Sequence, residues 1–209
     1  MMTSTFPRPV FAVIDTETTG LDPSCDRIVE LAAVLFDDNF HEIDRWHSLI
    51  HPGATPVTNS HIHGITSQVL AHAPNFGAVY RSFATFCDGA ILLAHNAPFD
   101  KAMIESELWR VRPGNDVAVV PCVDTIDIAK HALPQAQSYS LTNLLDLLGV
   151  ENNHAHTAVS DAAATGAMIR ALFKNNTPAI ARRIYHQATP FDCLHAIEWG
   201  LAFHAPAGR

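Results

Sequence analysis

V-I-D-T-E-T-T-G, residues 13–20, sets two carboxylates two positions apart, then two threonines and a glycine, and an apolar run over residues 10–14 leads straight into them. In an extended strand, side chains two apart lie on one face about 6.6 Å from each other, so Asp15 and Glu17 share a face. Like charges at that spacing raise each other's pKa unless a cation sits between them, and a divalent metal is the first cation the pair suggests. Taken alone, the pair reads first as solvated turn residues at a strand end, the usual fate of acids there, and a short motif decides nothing by itself.

The chain around this stretch has 209 residues, 48% of them hydrophobic and 16% charged, enough apolar content for one domain with its own core. No stretch approaches the roughly 20 apolar residues that cross a bilayer, and the first ten residues hold two prolines and no apolar helical run, so a cytoplasmic protein is expected. The four cysteines, Cys25, Cys87, Cys122 and Cys193, form no C-x-x-C pair and read as reduced, mostly buried thiols. Thirteen Lys and Arg against 21 Asp and Glu give a net charge of −8. That charge argues against a protein that coats long nucleic acid through a basic surface, and leaves room for one that grips a few nucleotides through metal ions.

Apolar runs alternate with helical patterns, as in α/β domains. Residues 10–14, 28–36 and 43–51 read as three consecutive strands joined by short turns, a meander, and residues 90–95 and 117–123 as two later strands. Helical spacing is expected over 75–87, 99–110, 124–131 with Asp124 as N-cap, and 140–148, capped by Ser140 and stopped by Gly149. An alanine-rich helix over 159–173, whose small residues permit close packing, is followed by a last helix over 177–187. Two units follow from this reading: residues 8–175, and a C-terminal helical extension, 176–209, expected to pack on the same domain.

Two further segments keep company with the opening acids. In A-H-N-A-P-F-D, residues 94–100, a strand gives way to a helix near Pro98, a residue tolerated in a first turn. Asp100 then sits where the helix dipole favours its ionised form. In H-A-H-T-A-V-S-D, residues 154–161, a histidine stands five positions before an aspartate. Five residues of helix turn through about 140°, so His156 and Asp161 converge only if His156 lies in the loop before the helix.

With V-I-D-T-E-T-T-G-L-D-P, D-R-I-V-E-L-A-A-V and H-G-I-T (63–66), these segments resemble the DEDD superfamily of exonucleases in its histidine subclass, most closely the proofreading epsilon-subunit family of bacterial DNA polymerase III and its free-standing relatives. The resemblance implies a ribonuclease-H-like mixed five-stranded sheet, an antiparallel meander plus parallel strands, flanked by helices. It implies that Asp15, Glu17, Asp100 and Asp161 hold two divalent ions, Mg²⁺ or Mn²⁺, an oxygen donor set suited to hard cations. It implies His156 as general base, with His154, which lacks the five-residue step to the aspartate, as a bystander. Thr16, Thr18, Thr19, Gly20, His63, Asn96 and Phe99 are the implied substrate contacts, although His63 reads equally as a loop histidine and Phe99 as core. Thr58 stands where an acid is expected upstream of H-G-I.

The expected activity is 3′→5′ hydrolysis of single-stranded or frayed DNA to nucleoside 5′-monophosphates, in proofreading or repair, with a DNA polymerase catalytic subunit as a partner to test for. Trimming of RNA, and a non-catalytic interaction module on the same fold, are the alternatives.

Overall fold

The first strand does not stop at the carboxylates. In the computed structural model, which describes residues 11–113, 120–152, 157–188 and 191, without the side chains at 175–178 and 185, β1 (Phe11–Thr18) runs through both acids. It pairs antiparallel with β2 (Ile28–Phe36) along its whole length, setting Asp15 opposite Ala32 and Glu17 opposite Glu30. On its other side, β1 pairs parallel with β4 (Ile91–Ala94) only from Phe11 to Val13. The acids therefore project where β4 has ended its pairing, at the open carboxyl end of the parallel strands, the usual place for a ligand in an open α/β sheet.

β3 (Glu42–Leu49) extends the meander antiparallel to β2, and β5 (Cys122–Asp124) adds parallel to β4, giving the order β3-β2-β1-β4-β5. This is the expected mixed five-stranded sheet. β2 is buried at all nine positions, as a strand covered on both faces requires.

Seven helices are described: α1 (Ser60–His63), α2 (Ser67–Leu70), α3 (Phe76–Phe86), α4 (Ala97–Val111), α5 (Thr125–Ala132), α6 (Leu141–Leu148) and α7 (Ala158–Gln187). The side-chain alternation of β1 decides which helix each residue meets. Ala12 and Ile14 join a core with Phe76, Phe83, Met103 and Ile104 of α3 and α4. Phe11 and Val13 join another with Ile128, Leu144, Met168 and Ile169 of α5 to α7. Each large apolar side chain so buried contributes about 1.5–3 kcal/mol. By the same period of two, Thr16 points to the α4 side, and Asp15 and Glu17 to the α7 side.

The expected caps Asp124 and Ser140 each accept a backbone N–H of the helix they start, Asn75 caps α3 in the same way, and Gly149 closes α6 in the left-handed conformation at φ 64°. Two expectations are corrected. The helices expected over 159–173 and 177–187 are one 30-residue helix, because Ile180 and Ile184 continue the buried stripe of Ile169 and Leu172 in helical register. The stripe overrides the proline at 178, which reads as a helix start. The cysteines are less buried than expected: Cys87 is enclosed, Cys122 half-buried and Cys25 exposed, all free, while Cys193 lies outside the described residues.

Close packing of α7 on the sheet rests on Gly166, where an added Cβ would collide with the Phe36 ring. Phe191 is buried against Phe83 and exchanges two backbone hydrogen bonds with Gly89 and Ala90. No helix among the described residues is long and apolar enough to cross a membrane.

Candidate active site

Three carboxylates meet at the end of β1. Asp15 and Glu17 arrive from the strand and Asp161 from the first turn of α7, and one oxygen of each lies within 4.8 Å of the others, a spacing that suits a shared metal ion. The helix start is held by Thr157, whose hydroxyl accepts the Ser160 N–H, and Asp161 accepts a hydrogen bond from Asn152 Nδ2 at 2.9 Å. Asp100, only 3% exposed, comes from α4 on the opposite side of β1 and accepts the Thr16 hydroxyl at 2.8 Å. Asp100 is not one of the three clustered acids, but its charge reaches them.

The electrostatics fit a cation. Burial, then the charges of Asp100, Asp161, Glu17 and Glu30, hold the Asp15 carboxyl well above its ordinary value. Burial, followed by Asp161, Glu30 and Asp100, raises Glu17 to about 7. Burial raises Asp100 as well, against the pull of Thr16. Several cations are engaged elsewhere: Arg27 and Arg110 with Glu107, Arg45 with Glu42, and Lys101 with Glu105. Three oxygen donors under mutual repulsion are the donor chemistry that hard divalent ions take, so the residues fit such a metal.

The residues after the acids build a rigid loop. The Thr18 hydroxyl donates to the Gly20 carbonyl at 2.7 Å. Thr19 donates to Asp26 at 2.9 Å and accepts the Arg27 N–H at 3.0 Å. A Cβ at Gly20 would strike the Asp26 carboxylate, so only glycine lets the loop close this tightly. Leu21 follows, 84% exposed. His63 is tied to this loop through Asn59, which donates to the Thr18 carbonyl at 2.7 Å and meets His63 Nε2 at 3.2 Å. His63 Nδ1 accepts the Ile65 N–H, and burial lowers the ring's pKa, so it is a neutral side chain with both nitrogens engaged.

Asn96 takes the left-handed conformation at φ 74° at the start of α4, exposed, with its N–H on Asp124 Oδ1 at 3.2 Å. Phe99 is partly buried against the α3/α4 core. Lys101 and Arg110, the notable basic side chains of α4, serve structure: Lys101 pairs with Glu105, and Arg110 donates to the Pro23 carbonyl at 2.6 Å. His154 and His156 lie outside the described residues.

Two contributors, Asn152 and Glu30, were not singled out from the sequence, and a third, Asp124, was expected only as a helix cap. Asp124 accepts N–H groups of Asn96, Ala97 and Ile126, joining the end of β5 to the start of α4 that carries Asp100. Asn152 orients Asp161. Glu30 stands across the ladder from Glu17, and an acid inside an otherwise apolar strand was the available signal.

A mixed five-stranded sheet that gathers carboxylates at the end of its central strand presents the oxygen donor set of a divalent-metal site. The chain belongs to the Exonuclease (RNase T) family, whose sequence model matches residues 12–169. It is similar to the DNA polymerase III PolC-type protein of Oceanobacillus iheyensis, 36% identical over 160 residues, which are 76% of this chain and 11% of that protein. The DNA polymerase III subunit epsilon-like protein of Rhodobacter capsulatus is 36% identical over 168 residues, 78% of this chain and 23% of that protein. The chain thus spans less than a quarter of the length of either relative. The structure of Exonuclease X in complex with 5′ overhanging duplex DNA shares the fold, with a TM-score of 0.64 at 24% identity over 80% of this chain and 93% of that one.

Proposed function

We propose that the protein is a two-metal-ion 3′→5′ exonuclease that hydrolyses single-stranded or frayed DNA 3′ ends to nucleoside 5′-monophosphates. The convergence of Asp15, Glu17 and Asp161 at the open end of β1, with Asp100 behind, carries this reading. These four would hold two divalent ions, Mg²⁺ or Mn²⁺, which when bound supply an activated water and charge stabilisation for the leaving 3′-oxygen. His156, two positions before Ala158, is the proposed general base: an imidazole with an ordinary pKa near 6.5 accepts a proton from water at neutral pH.

Thr16 keeps Asp100 turned toward β1, and the Thr18–Thr19–Gly20 loop, braced by Asp26, offers a fixed edge to a terminal nucleotide. His63, Asn96 and Phe99 complete the proposed contacts, with Phe99 presenting only its uncovered part. The polymerase names of the relatives and the DNA in the Exonuclease X structure support DNA as substrate and a polymerase catalytic subunit as partner. The proposed place of action is the cytoplasm. Residues 8–175 form the proposed exonuclease domain and 176–209 its proposed C-terminal extension; the burial of Ile180, Ile184 and Phe191 supports packing of the described part on the domain, and residues 189, 190 and 192–209 lie outside the described residues.

The test is a gel assay on 5′-labelled single-stranded DNA and RNA of equal sequence, with Mg²⁺, Mn²⁺ or EDTA, beside Asp15→Ala and His156→Ala. A metal-dependent ladder shortening from the DNA 3′ end, absent in both variants, is expected. Faster loss of RNA would transfer the activity to RNA trimming, and no cleavage of either polymer would overturn the reading.

A further inference from the structure

Glu30 is a carboxylate in the middle of a strand buried at every position, and it is itself only 5% exposed. Enclosing a carboxylate is expensive unless its oxygens are hydrogen-bonded, so the position of its partners indicates what it is there to hold. Oε2 accepts the backbone N–H of Ala158 at 3.1 Å. Oε1 faces Nδ1 of His47 at 3.3 Å, a half-exposed side chain on β3. Ala158 is the first residue of α7, and its N–H is one of the four that a helix start leaves without an internal partner. Thr157 caps Ser160, so the two side chains each take one of the donors of the same helix start.

We propose that Glu30 is a positioning residue for the nuclease reaction: it fixes the first turn of α7, and with it the setting of Asp161, without ligating metal. The inference rests on the exonuclease reading given above. Glu30 lies directly across the ladder from Glu17, yet it is outside the group of acids whose oxygens converge. Its oxygens are turned to Ala158 and His47 instead. Asp161 lies three residues past Ala158, so a shift of the helix start displaces its carboxylate from Asp15 and Glu17. A negative charge at a helix N-terminus adds favourable dipole interaction to the hydrogen bond.

The experiment uses the full chain with Glu30→Ala, Glu30→Gln and His47→Ala, scoring kcat and KM on a labelled oligonucleotide and amide hydrogen exchange across residues 157–161. Glu30→Ala is expected to lower kcat about 10- to 100-fold, the range for residues that orient metal ligands, with KM little changed and with faster exchange at the helix start. Glu30→Gln keeps an oxygen acceptor for Ala158 and restores both readouts, and His47→Ala gives a weaker version of the alanine effect. Glu30→Gln as inactive as Glu30→Ala, with exchange still slow, would show that the charge itself is required and overturn the proposal. Full kcat in Glu30→Ala would overturn it as well. If the wild type cleaves neither polymer, the exonuclease reading fails while the anchor is still decided: unchanged exchange in Glu30→Ala overturns it.

Discussion

Asp100 and Glu107 lie on the same helix two turns apart, both shut away from water, and the fold treats them in opposite ways. Glu107, fully buried, receives Arg27 through two nitrogens at 2.7 and 2.9 Å, with Arg110 at 3.6 Å and the Ile28 N–H at 3.3 Å. Asp100 receives the Thr16 hydroxyl and backbone N–H groups in place of a guanidinium, and beyond it stand more acids. The chain therefore has the means to neutralise a buried carboxylate with its own side chains and applies them two turns away from the site. Where it does not, the charge balance is left to a cation from outside: burial first, and then the neighbouring acids, hold Asp15 and Glu17 above their ordinary values.

The contrast is broken most severely from the unbalanced side. Asp15→Ala removes a proposed ligand and is expected to reduce exonuclease rate on the order of a thousandfold, since several kcal/mol of charge stabilisation are lost, while urea denaturation shows stability held or improved by the relief of repulsion. Glu107→Ala is expected to do the reverse. It leaves two guanidinium groups partly buried without their partner and is expected to cost about 3–5 kcal/mol in urea denaturation.

A pH series sharpens the same contrast. Glu17 has its folded pKa raised from 4.5 to about 7, so the folded state holds a proton that the unfolded chain releases. Its stabilising contribution is full below the ordinary value and is lost as pH climbs toward about 7, so the metal-free protein should lose several degrees of Tm between about pH 5 and pH 7 in EDTA, then level off. Mn²⁺ should restore the loss at high pH and do little at low pH, where protons occupy the carboxylates. The smallest effect is expected from Thr16→Val, which removes the hydroxyl on Asp100. About 1–2 kcal/mol of stability should go, together with a weaker Mn²⁺ isotherm in calorimetry.

Much of this arrangement could be read before any coordinates. The order of strands and the main helices follow from apolar periodicity and from caps such as Ser140 and Asp124, because those are local properties of the chain. The acids of the site could be picked out because spacing along β1 and at the start of α7 is a local signal too. What escaped depends on registry between distant segments. β1 continues past residue 14 because β2 supplies a partner at each step, not because of its own polarity. The four-residue helices α1 and α2 are too short to display a period. Glu30 and Arg27 were visible in D-R-I-V-E, but that one would meet the start of α7 and the other Glu107 is a matter of the fold. α7 hid its length behind a proline whose breaking tendency is outweighed by Ile180 and Ile184.

The central place of β1 has a consequence for how the protein fails. A strand bonded to β2 along its whole length and to β4 over its first three residues, and covered on both faces, opens only when the whole domain does, so its opening free energy approaches the global value. Two of the acids ride on that strand, and a third is carried by the helix packed over it. Activity should therefore persist into moderate denaturant and vanish together with the cooperative unfolding of the sheet, so that the last working molecule is also the last folded one.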